Sequence, residues 1–135
     1  MTTVLRFGFA LLLAAHGVAH LPGFVSAWRL APIAELPYHT DVLAGHLHVG
    51  DAGMRALGAL WLLAALAFLA ASLGALLRQP WWEPVALVAA LASLLLCALE
   101  WPAARLGVPV NLAVLAVLFV GPRLVTLLGP GALGR

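Results

Sequence analysis

The sequence contains no lysine, and charged side chains make up only 9% of its 135 residues, against 64% hydrophobic ones. Soluble domains run near ~25% charged and ~45–50% apolar, so a water-soluble fold would lack the polar surface to cover this chain. The seven basic residues are all arginines scattered along the sequence, which argues against the clustered patch of a nucleic-acid binder. The single cysteine, Cys97, lies in an apolar stretch; it excludes an intramolecular disulfide and reads as a small packing residue. Also absent are a phosphate-cradling glycine loop, an HExxH metal motif and a GxSxG nucleophile turn.

What is present is apolar length. Mean hydropathy is +1.09, and apolar runs cover residues 4–28, 52–77, 83–101 and 108–128. Each approaches or exceeds the ~20 helical residues that cross ~30 Å of hydrocarbon. The expected fold is an all-α integral membrane protein: one domain, residues 1–135, forming a four-transmembrane-helix bundle with one long polar loop, residues 29–51, between helices 1 and 2. Arg78-Gln79-Pro80 ends the second run, Pro84 suits the first turn of the third, and Pro102 stops it. Trp81 and Trp82 mark that boundary as an interfacial aromatic anchor. Arg6 ahead of an apolar run and the Val25-Ser26-Ala27 sequence also fit a secretory signal. His16 and His20 interrupt that run, and signal cores are only ~7–15 residues long, so the helix is expected to be retained.

Four spans put both termini on one side, which collects Arg6, Arg78, Arg123 and Arg135 against Arg29, Arg55 and Arg105 on the other. That bias places the termini in the cytoplasm. Glu35, Asp41, Asp51 and Glu100 fall on the opposite, loop-bearing side. There the polar groups converge in depth: His16 and His20 on the first helix, Asp51 and Arg55 opening the second, Glu100 closing the third, Arg105 just after it and Asn111 opening the fourth. Asp51 reads as an N-cap, and Glu100 has Arg55, Arg105 and the histidines as available partners.

Two face arguments sharpen the site. Ala86, Ala90, Ser93, Cys97 and Glu100 recur at helical spacing, a stripe of small residues ending in a carboxylate. Transmembrane helices approach closely along such stripes, and an ionisable group near a membrane interior calls for a partner or a function. His16 and His20, at i and i+4, share a face and could present two imidazoles to one divalent ion. Pro22 should kink the helix just beyond them. His46 and His48 point the same way if their segment is extended, and join the candidate metal ligands. His39, His46 and His48 also read simply as solvated loop residues. A transmembrane bis-histidine haem is disfavoured, because helices 2 to 4 carry no histidine and one axial ligand would have to come from the loop.

The run His16-Gly17-Val18-Ala19-His20-Leu21-Pro22-Gly23-Phe24, the segment Ala56-Leu57-Gly58-Ala59-Leu60-Trp61-Leu62-Leu63-Ala64-Ala65, Trp81-Trp82, and Trp101 to Gly107 leading to Asn111 resemble a group of small, uncharacterised bacterial four-helix membrane proteins, some of which carry a soluble C-terminal domain. The resemblance implies the four-helix fold in the bacterial inner membrane and includes His16, His20 and Asn111 in the shared pattern, with no activity attached. His46 and His48 depart from that pattern.

Three functions fit these residues. The first is a membrane-embedded binding or accessory protein with an outward-facing pocket of His16, His20, Glu100 and Asn111. The second is a membrane enzyme in which the histidine pair and Glu100, the candidate catalytic residues, act on a lipid-soluble small molecule by metal-assisted or acid–base chemistry. The third is a small transporter acting as an oligomer. The expected partner is the lipid bilayer, with a homo-oligomer or a partner membrane subunit left open, and the cofactor, if any, a divalent metal.

Overall fold

The computed structural model describes residues 3–128, and its regular secondary structure is helical apart from one short hairpin. The first apolar run is broken in two, α1 (Thr3–Ala19) and α2 (Leu21–Ala27). The loop then carries a two-stranded antiparallel hairpin, β1 (Asp41–Val42) and β2 (Leu47–His48), and leads into α3 (Gly50–Leu76), α4 (Trp82–Leu99) and α5 (Gly107–Leu128). The segments Thr3–Ala27, Gly50–Leu76 and Trp82–Leu99 are long and apolar enough to cross a membrane. Helix starts and ends fall within two residues of the expected spans, and Glu100 lies just beyond the last turn of α4 rather than inside it. Arg135 lies outside the described residues.

The expected kink beyond the histidines falls instead at His20 itself. Pro22 sits in the first turn of α2, where its missing N–H costs nothing. The break therefore lies ahead of it, with the His20 N–H closing a tight turn onto the Gly17 carbonyl at 3.1 Å. In the bundle α1 packs on α3, α3 on α4, and α4 on α5. Gly17 makes the first of these approaches possible: a Cβ there would lie 3.0 Å from the Ala65 carbonyl oxygen and 3.1 Å from the Phe68 Cβ. Ala86, Ala90, Ser93 and Cys97, the small stripe of α4, are all buried. Phe9 and Trp82 meet edge-on at the end of the bundle away from the loop, with ring centroids 5.8 Å apart.

The loop folds back over the other end. Leu43, Ala44 and Gly45 all take positive φ in the hairpin turn. In that conformation the Leu43 and Ala44 N–H groups reach the Leu99 and Trp101 carbonyls, at 2.6 and 3.1 Å, which the end of α4 leaves without helical partners. Val42 is buried in one hydrophobic cluster with Met54, Trp61 and Leu96. The Ser26 hydroxyl donates to the Leu36 carbonyl at 2.6 Å and ties the loop to α2 as well.

Candidate functional site

His16, His20, Ser93 and Asn111 are buried where α1, α4 and α5 meet, and their hydrogen bonds fix one another's direction. A carbonyl oxygen only accepts, so the contact between the Asn111 amide and the Gly107 carbonyl, 2.9 Å, must come from the Asn111 Nδ2. That leaves Oδ1 toward His16, whose Nε2–H donates to it at 3.0 Å. The second Nδ2 proton goes to the Ser93 Oγ at 2.7 Å. His20 donates from Nδ1 to the His16 carbonyl at 2.7 Å, which leaves its Nε2 to accept the Ser93 hydroxyl, also at 2.7 Å. Every donor in this ring finds an acceptor when both histidines are neutral and of opposite tautomer. Among the described residues, nothing hydrogen-bonds His16 Nδ1. The two imidazoles stand edge to face, 4.7 Å between centroids at 88°, and Phe68 packs against both.

A second pair closes the site from the loop. His39 Nδ1 donates to the Asp41 carbonyl at 2.7 Å, so its Nε2 faces the Glu100 Oε2 at 3.1 Å. Two acceptors cannot bond each other, so one proton lies between them. The pair is either imidazolium and carboxylate or imidazole and carboxylic acid, with zero net charge in both forms. Glu100 is only 7% exposed; its burial pushes the carboxyl above the ordinary carboxylate value, against the opposing pull of His39. Its other oxygen, Oε1, is buried and has no hydrogen-bond partner among the described residues.

These groups share a cavity of about 310 Å³, lined by His16, His20, His39, Cys97 and Glu100 on an otherwise largely apolar wall that includes Met54, Trp61, Leu106 and Val110. A smaller cavity of about 180 Å³ lies under the hairpin, and His39, Glu100 and Ala103 line both. The structure thus brings His16, His20 and Glu100 to one cavity, with Asn111 behind the wall holding His16.

Other expected site residues lie elsewhere. Asp51, Arg55 and Arg105 are exposed and do not line the cavity. Asp51 is not the helix cap: Val49 occupies that position, and the Asp51 carboxylate is turned outward, taking bonds from Arg29 at 2.8 Å and from the Tyr38 hydroxyl. Arg29 also stacks over the Tyr38 ring, 3.8 Å from its centroid. The Glu100 carboxylate pairs with His39 rather than with either arginine. His46 and His48 do not join His16 and His20 as metal ligands, because the strand begins only at Leu47. His46 therefore sits in the hairpin turn, while His48 turns outward to Asp41 at 2.9 Å. Among the described residues, no three His, Cys, Asp or Glu side chains are grouped to hold a metal ion. Sequence reasoning missed the roles of Ser93 and His39. Ser93 was visible as the polar member of a small stripe, whereas nothing in the spacing links His39 to Glu100.

Comparison with protein-family models, curated proteins and solved structures finds no match for this chain.

Proposed function

We propose that this chain is a four-span inner-membrane protein that binds a lipid-soluble small molecule in the His16, His20 and Glu100 cavity, beneath a loop on the outward face. The observation that carries the reading is the combination of a largely apolar chamber of about 310 Å³ with a buried carboxylate oxygen that lacks a partner. Small-molecule sites are typically apolar clefts of ~300–1,000 Å³ with a few placed polar groups. A purely structural polar cluster needs no chamber and would leave no orphaned oxygen, since an unsatisfied buried polar group costs ~1–3 kcal/mol. The four spans in this reading are Thr3–Ala27, Gly50–Leu76, Trp82–Leu99 and Gly107–Leu128, the last supported by its apolar composition.

Thermal-shift screening of lipid-soluble compounds against wild type and Ala19→Phe tests the binding function. Ala19 is an exposed residue at the cavity rim, so the larger side chain should block access while leaving the core intact. Compounds that stabilise wild type alone are expected; equal shifts in both proteins would defeat the reading. The topology has its own test in a Cys97→Ala background, where Gly45→Cys and Arg105→Cys should both react with an impermeant thiol reagent added from outside. Labelling of only one of them would rule out this arrangement.

A second reading, an acid–base enzyme of the same cavity, is favoured by the proton shared between His39 and Glu100. The bare His16 Nδ1 supplies a base in the same wall.

A further inference from the structure

The polar atoms of the cavity wall can be sorted by what they still have to offer. His16 has given its Nε2–H to Asn111, and His20 has given its Nδ1–H to the His16 carbonyl. Ser26 has given its hydroxyl proton to the Leu36 carbonyl, and His39 its Nδ1–H to the Asp41 carbonyl. The one proton between His39 and Glu100 is held by that contact. Among the described residues, those that line the cavity leave two acceptors, Glu100 Oε1 and His16 Nδ1, and one strong donor, the Trp61 indole N–H, without a hydrogen bond. The Glu100 oxygen makes the largest demand of the three, because it belongs to a carboxyl group that is 7% exposed and carries charge in the ion-paired form.

We propose that the cavity selects its ligand through a hydrogen-bond donor, taking an apolar hydroxyl compound, a phenol or an alcohol, whose O–H is accepted by Glu100 Oε1. The inference rests on the binding function proposed above and names the ligand class. Compounds whose only polar group is an acceptor, such as an ether or ester, can use the indole N–H alone and leave the buried carboxylate unmet. A hydroxyl group both donates and accepts, so it can answer the carboxylate and still receive a bond. The apolar remainder of the ligand meets Met54, Trp61, Leu106 and Val110. A site able to hydrogen-bond a ligand O–H can reject the analogue that lacks it strongly, because its own polar group is then left unpaired.

The full chain in lipid nanodiscs can be titrated with 4-propylphenol and with its methyl ether, 4-propylanisole, following intrinsic tryptophan fluorescence, with Trp61→Phe identifying the signal that arises in the cavity. The phenol should bind at least ten-fold more tightly than the ether. Glu100→Leu should bring the phenol down to the ether's affinity. Glu100→Gln should retain the preference, since its amide can give an N–H to His39 Nε2 and keep an acceptor toward the cavity. Equal affinities, both abolished by Ala19→Phe, would overturn donor selection and leave the binding pocket standing. Failure of both probes to bind the wild type would overturn the pocket and the ligand class together. The wild-type comparison decides the matter even if Glu100→Leu does not fold.

Discussion

Asn111→Leu isolates the energetic worth of the polar ring. Asn111 is wholly buried and bonds His16, Ser93 and the Gly107 carbonyl, at 3.0, 2.7 and 2.9 Å. Leucine keeps the same branched heavy-atom skeleton, so repacking should cost less than ~1.5 kcal/mol. Of the three lost bonds only one strands its partner. Ser93 still donates to His20, and the Gly107 carbonyl faces the backbone N–H one helical turn on. The His16 Nε2–H is left facing leucine, at the ~1–3 kcal/mol charged for an unsatisfied buried donor. Interhelical hydrogen bonds in membranes average only ~0.6 kcal/mol, because the unfolded state also finds partners. His16 and Asn111 sit on α1 and α5, which the loop and three other helices, α2, α3 and α4, separate in sequence, and few substitutes are at hand. The expected loss is therefore about 2 kcal/mol.

The assay is reversible unfolding in mixed detergent, following helicity, for wild type, Asn111→Leu, His16→Leu and the double variant. Removing both partners with apolar groups of similar bulk can be nearly neutral, so the double variant should be more stable than the two single losses added together. A cost below about 0.5 kcal/mol for Asn111→Leu, where mutational effects no longer separate from surface scatter, would refute the ring as a stabilising unit. Simple additivity would show that His16 and Asn111 are not coupled.

Nitrogen-15 spectra of the histidines near neutral pH should show His16 as the Nε2–H and His20 as the Nδ1–H tautomer; the same tautomer for both would break the derived directions. Glu100 titrates above the ordinary carboxylate value of 4.5 in the folded protein, so the fold binds its proton more tightly than the unfolded chain does. Its contribution to stability should be complete below pH ~4.5 and lost as pH rises through the raised value. Glu100→Gln should therefore stabilise the protein near neutrality, with the gain shrinking at acid pH; a gain that grew on acidification would contradict this. Ala44→Gly should raise stability by ~0.5–1 kcal/mol, since Ala44 is exposed with φ 56° and a left-handed non-glycine residue carries ~1–2 kcal/mol of strain, offset in part by glycine's entropy. A loss measured by the same unfolding assay would mean that the turn is not strained.

The helices were legible because apolar length is a one-dimensional signal. The extent of the apolar runs located their ends to within two residues, and the break at His20 shows the limit of reading prolines: a proline in the first turn of a new helix marks its start, not a kink inside an old one. The small stripe of α4 and the shared face of His16 and His20 were legible for the same reason, since helical periodicity fixes faces. The outward turn of Asp51, Arg55 and Arg105 was not, because charged groups at helix ends can reach out from the bundle as easily as into it. Nor was the hairpin, whose two strands of two residues each are too short to leave an alternating pattern.

The position of His39 explains why the loop folds so closely over the bundle. Without it Glu100 would be a single buried ionisable group at the end of an apolar helix, and leaving such a charge unpaired costs ~3–5 kcal/mol. With it the pair is neutral in either proton position. Its alignment depends on the Asp41 carbonyl that holds the His39 Nδ1, and Asp41 belongs to the hairpin that the Leu43 and Ala44 amides pin to the end of α4. The left-handed turn, the backbone bonds to Leu99 and Trp101, and the shared proton are successive links in one chain of support. The same chain leaves Oε1 without a partner, because His39 reaches the carboxyl from the loop side and satisfies only the oxygen that faces it. A charge-neutral pair with one unanswered acceptor beside a largely apolar chamber is an arrangement that folding alone does not require.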